Sequence, residues 1–141
     1  AVVGLGSVTR VWLTDTEEPN AKMALYQAKC HTLHASVMTQ LAKRGHYFKA
    51  GEALRPSWVA KIYAAQGKGS ANSAHIQSLA WDMFRVMPDG TYSGNFEDYV
   101  LYGETWKAAG RQVGIETNWG GDFKTLVDAV HTSCTTPQGI K

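Results

Sequence analysis

Apolar residues recur early in the chain with the period of a helix. Tyr26, Cys30, Leu33, Val37 and Leu41 follow one another at steps of four and three, which lines one face of a helix over residues 20–44. Asn20 is placed to cap that helix and Gly45 to end it. "HYFKAGEAL" suits a short strand, and "RPSWVAKIYAAQG" predicts a second helix with Pro56 near its start and Gly67 at its end. "GKGSANS" is a polar, glycine-containing loop. "SLAWDMFRVM" is too apolar for an exposed strand and predicts a central one. "PDGTYSGN" is rich in turn residues, and "FEDYVLYGETWKAAGRQVG" predicts a third helix that Gly114 stops better than Gly110. "IETNWGGDF" reads as a strand and tight turn, "KTLVDAVH" as one or two helical turns or an ordered loop, and "TTPQGIK" as a frayed tail. With no internal repeat and no linker, this order predicts an α+β fold. The expectation is one compact domain over residues 1–141, with a small, mainly antiparallel sheet flanked by about three helices. Residues 1–19 are read as an N-terminal extension and 135–141 as the tail.

Composition supports a packed domain. The 141 residues are 44% hydrophobic and 18% charged, enough to build a core without staples. The formal charge of +2, with no Lys/Arg block, argues against a nucleic-acid partner. No apolar run approaches a membrane span. "AVVGLGSV" is short and has no basic lead-in, so it is not read as a signal peptide. "GLGSVTR" lacks the third glycine of a dinucleotide loop. The two cysteines, Cys30 and Cys134, read as buried thiols for which a single bridge is allowed but not required.

"SAHIQSLAWD" places His75 and Asp82 among apolar residues, and "DAVH" places Asp128 three residues before His131. Buried groups of this kind need partners: each other, the backbone or a metal. A spacing of three puts Asp128 and His131 on one side if the segment is helical. His75 and Asp82 would face opposite sides of one strand, so the strand should begin between them, with His75 in the preceding loop. His75, Asp82 and His131 would make a zinc set of three protein ligands with one position open, the catalytic arrangement. Asp128 would then remain as a spare carboxylate for proton transfer. Spacing alone leaves the alternative of hydrogen-bonded core histidines open.

Three pieces, in order, carry a resemblance. "SAHIQSLAWD" resembles the S-x-H-x-x-G-x-A-x-D signature of the D-alanyl-D-alanine carboxypeptidase-like zinc peptidases. "NWGGDFKTLVDAVH" resembles their W-G-G-x-[FW] turn followed by D-x-x-H, and "EALRP" their E-A-x-R. Together these cover roughly residues 46–134, and the pattern is most similar to phage endolysins of the L-alanyl-D-glutamate endopeptidase type. The resemblance implies a zinc site in a cleft on the sheet, with His75, Asp82 and His131 as ligands. It implies Asp128 as the catalytic carboxylate, Arg55 as the arginine steadying charge on the substrate carbonyl, and Ser73 as a substrate contact. The implied activity is zinc-dependent hydrolysis of a stem-peptide bond in bacterial peptidoglycan, by a monomer made in the host bacterial cytoplasm and acting on the wall. A D,D-carboxypeptidase or dipeptidase of the same family, or a non-catalytic wall-binding relative, are the alternatives. The chain departs from the pattern at Ser78, where the family has glycine. It departs again after His131, where "TSC" replaces "FE" and predicts a less well-fixed strand.

Other residues have plainer readings. Trp119 with Gly120 and Gly121 could wall the cleft and bind substrate, form a tight turn with a packed indole, or do both. Trp58, Trp81 and Trp106 read as core. In "CHTLH", His31 and His34 read as exposed polar residues beside a buried Cys30 rather than as a second metal site.

Overall fold

In the computed structural model, which describes residues 21–51 and 79–140, the predicted first helix is α1, Ala21–Lys43. It buries Tyr26, Cys30, Leu33, Val37 and Leu41, the face that the spacing selects. The helix also buries His34, which corrects its reading as an exposed residue. His34 lies four residues after Cys30, so helical geometry carries it onto the same apolar face. His31, one step round, is exposed as expected. Gly45 follows with φ of 81°, and β1 (Tyr47–Ala50) begins two residues later.

β2 (Ala80–Val86) is the apolar run, and its interior position is as predicted. The sheet order is β1-β2-β4-β3, antiparallel throughout, with β3 at Thr117–Trp119 and β4 at His131–Cys134. A short 3₁₀ turn, Phe96–Tyr99, leads into α2 (Val100–Val113). Gly114 caps α2 with φ of 73°, a left-handed conformation that suits glycine, so the helix stops where the sequence suggested.

Alternation along β2 sorts the two faces of the sheet. Trp81 and Met83 point to the helices and are buried, whereas Asp82 and Phe84 point to the other face and are half-buried. α1 and α2 cover the first face. Trp106 is fully buried there, and its indole N–H is shared between the carbonyls of Asn118 (3.1 Å) and Ser133 (3.2 Å). Cys30 and Cys134 are free thiols buried in this core.

Two expectations are corrected. The strand after His131 is firmly fixed: β4 pairs with β2 through Asp82↔His131 and with β3 through Thr117↔Cys134. Its residues are bonded on both edges, which makes the departure from the family pattern harmless to the local structure. The segment from Thr135 is tied down rather than frayed at its start. The Thr135 carbonyl accepts from the Tyr26 hydroxyl (2.5 Å), its N–H donates to Glu116 (2.9 Å), and Ile140 packs against the core. The predicted helix over 56–67, the "GKGSANS" loop, Trp58 and residues 1–19 lie outside the described residues.

Candidate metal centre

Asp82 and His131 face each other because the register pairs them directly across β2 and β4. Side chains at opposed positions of an antiparallel pair share a face. That face is the one turned away from the helices. Trp81, one residue before Asp82, and Thr132, one residue after His131, are opposed on the core side. His131 Nδ1 lies 3.3 Å from Asp82 Oδ1, with side-chain exposures of 15% and 18%.

Asp128 reaches the same point, but not on a helix. Residues 124–130 form bends and a turn, which corrects the helical half of the "KTLVDAVH" expectation in favour of the ordered loop. The backbone does what a helix would have done: the His131 N–H donates to the Asp128 carbonyl (3.1 Å), closing a four-residue turn from Asp128 to His131. The turn is held from outside as well. The Gly120 carbonyl accepts from Asp128 N–H (3.0 Å) and Phe123 N–H (3.2 Å), and Met83 N–H donates to the Val130 carbonyl (3.0 Å). The Trp119 indole N–H donates to the Ala129 carbonyl (2.8 Å). A Cβ at Gly120 would collide with the Asp128 carbonyl oxygen, so this turn needs glycine for close approach.

Trp119 is 5% exposed. The structure therefore gives it the packed-indole role, steadying the loop that carries Asp128 and His131. Phe123 is the aromatic nearer the site, its ring 5.7 Å from the His131 ring. Phe123 fills the last position of the W-G-G-x-[FW] pattern, and its approach to His131 depends on the turn at Gly120.

Among the described residues, Asp82, Asp128 and His131 are the group of His, Cys, Asp and Glu side chains that could hold a metal, their donor atoms all within 4.8 Å of one another. The Asp82–His131 pair is spaced as two ligands of one zinc ion would be. Two ligands at 2.0–2.2 Å from a tetrahedral zinc stand about 3.4 Å apart, and the Nδ1–Oδ1 separation is 3.3 Å. His31 and His34 do not join this group. His34 is stacked on Trp81 (centroids 4.3 Å, 9° between planes), and its Nε2 lies 3.1 Å from the Tyr102 hydroxyl. Burial, and secondarily His31, lowers its pKa to about 4. Cys134, three residues past His131, faces the core and is hydrogen-bonded with Cys30; that bond, with burial, raises its pKa and keeps it a thiol. β2 begins at Ala80, between His75 and Asp82, as the spacing required. His75, Arg55, Ser73 and Ser78 themselves lie outside the described residues.

The fold has a solved counterpart. It is similar to an L-Ala D-Glu endopeptidase. The crystal structure of Serratia marcescens L-Ala D-Glu endopeptidase ChiX aligns with a TM-score of 0.62 and 27% identity, over 82% of this chain and 88% of that one. No protein-family model and no curated protein sequence matches the chain. The likeness to ChiX thus supports the endopeptidase side of the sequence resemblance. The wider carboxypeptidase-like zinc family rests on the three quoted motifs alone.

Proposed function

We propose that this chain is a zinc-dependent peptidoglycan hydrolase that cleaves the stem peptide between L-Ala and D-Glu. The observation that carries the reading is the convergence of Asp82, His131 and Asp128 on the face of the sheet turned away from α1 and α2, in a fold similar to an L-Ala D-Glu endopeptidase. His75, Asp82 and His131 are the proposed ligands, His75 being carried by its motif. Zinc held by them would polarise the scissile carbonyl and make a water acidic enough to lose a proton near neutral pH. Asp128 is exposed and adjacent, so its carboxylate can take that proton and deliver it to the leaving amine. Arg55 is proposed to donate to the carbonyl oxygen as negative charge develops there, the place where a charge-assisted donor is worth most. Ser73 is proposed to hold the substrate backbone.

The fixed turn explains why this geometry suits catalysis. Asp128 and His131 are anchored to Gly120, Trp119 and β2 by backbone and indole hydrogen bonds, so a base and a ligand are held without long flexible side chains. The test is digestion of purified bacterial wall, with fragments read by mass spectrometry. Release of a new D-Glu amino terminus supports the reading. Cleavage at a D-Ala bond alone would move the activity to a D,D-peptidase.

A further inference from the structure

A groove of about 350 Å³ opens beside Asp128. Phe84, Phe96 and Val127 supply its apolar walls, Gly94 and Asn95 part of its floor, and Asp128 lines one side. The floor is fixed: the Tyr99 hydroxyl donates to the Ser93 carbonyl (2.8 Å) and accepts from the Arg85 N–H (3.1 Å). The groove therefore shares a residue with the candidate centre, and its Ser93–Tyr99 part is held by hydrogen bonds.

Its charge is specific. Among the described lining residues the one ionised side chain is Asp128. The nearby Arg85 does not line the groove; its guanidinium is directed to Asp98, 3.5 Å away, and the Ser93 hydroxyl donates to the same carboxylate. A substrate carboxylate placed here would lie beside the Asp128 carboxylate and, among the described lining residues, would find no basic side chain to pair with. A small neutral side chain would instead meet two phenyl rings and a valine. The volume is that of one or two small residues, not of a long polymer stretch.

We infer that this groove is the subsite for the neutral, alanine side of the scissile bond, with Phe96, Val127 and Gly94 setting how large that residue can be. The inference rests on the peptidase reading above and extends it to specificity. The glutamate side of the bond then lies across Asp128, away from this groove.

Gly94 makes the test clean. A Cβ built there meets no atom within 4 Å, so a side chain can start at Gly94 without a backbone clash, and Gly94→Phe should narrow the groove. Val127 is 56% exposed, so Val127→Ala widens it from the surface. The probes are synthetic stem peptides carrying L-Ala or L-Val before the scissile bond, and D-Glu or D-Gln after it. For Gly94→Phe, the ratio of kcat/KM for the Val peptide to that for the Ala peptide should fall roughly tenfold, the usual worth of one or two misfitting methyl groups. For Val127→Ala the same ratio should rise. In both variants the D-Gln to D-Glu ratio should stay at its wild-type value, with unchanged melting temperature and zinc content. If the D-Gln to D-Glu ratio moves instead, the groove holds the other side of the bond and the assignment is wrong. If wild type is active and neither ratio moves in either variant, the groove is no subsite. Failure of wild type to cut any of the peptides overturns the peptidase reading and this inference together.

Discussion

Acid should unfold this protein through a residue that never touches the candidate metal. His34 is 5% exposed, lies flat on Trp81, and approaches the Tyr102 hydroxyl, which in turn meets Thr132 Oγ1 at 2.5 Å. Trp81 precedes Asp82 and Thr132 follows His131, so this buried stack sits directly behind the centre. Burial lowers the His34 pKa from 6.5 to about 4. The unfolded chain takes up the proton near pH 6.5 and the folded chain only near pH 4. Stability linked to His34 is therefore complete above pH 6.5 and is lost as the pH falls toward 4. A gap of roughly 2.5 units at 1.36 kcal/mol each amounts to about 3 kcal/mol. That is a sizeable part of the 5–15 kcal/mol typical of a domain. The assay is urea unfolding followed by tryptophan fluorescence between pH 4 and 7.5, with chelator present so that metal release does not contribute. His34→Phe keeps an aromatic ring against Trp81 but does not titrate. The difference in stability between wild type and His34→Phe should shift by about 3 kcal/mol across this range, wild type losing more in acid. Parallel pH curves for the two proteins would refute the reasoning.

Four residues give further tests. Trp119→Phe removes the hydrogen bond to Ala129 and some packing, an expected loss of roughly 1–3 kcal/mol, with a drop in kcat that exceeds any change in KM if the indole positions the Asp128 loop; thermal melts with steady-state kinetics decide it, and an unchanged kcat would leave Trp119 a packing residue. Asp82→Ala and His131→Ala should each lose bound zinc by elemental analysis, and wild type treated with chelator should melt lower because the metal adds stability to the folded state. Arg55→Lys retains charge but not the planar fork, so kcat should fall while zinc content stays, and an undiminished kcat would return Arg55 to a surface ion-pair role.

Much of the scaffold could be read from residue order because its determinants are local. The α1 stripe follows from steps of three and four, the interior position of β2 from a mostly apolar run, and the end of α2 from Gly114. His34 was misplaced because its polarity was weighed above its position, four residues from Cys30. The proximity of Asp128 and His131 was foreseen for a helical reason and is realised by a turn; both bring residues three apart together, so spacing alone could not choose between them. β4 was expected from the resemblance, but as a poorly fixed strand, since "HTSC" has no strand-like apolar pattern and takes its form from β2 and β3 on either side. The groove was invisible for a similar reason. Gly94 and Phe96 come from a stretch that reads only as turn, and Val127 arrives from thirty residues further on. Within the candidate site, Asp82 and His131 meet through register, whereas His75, Arg55 and Ser73 rest on motif alone.

The central claim is that one zinc and a separate carboxylate together cut a wall peptide, and Asp128→Asn tests it most directly. The substitution is nearly isosteric and cannot take a proton. Zinc stoichiometry, thermal melting and wall hydrolysis should be measured on the same preparations of wild type and variant. The account predicts one zinc per chain and matching melts in both, with hydrolysis by the variant reduced by roughly two to four orders of magnitude. Near-normal hydrolysis by Asp128→Asn would contradict the assignment of the base, and wall hydrolysis by zinc-free wild type would contradict the metal mechanism itself.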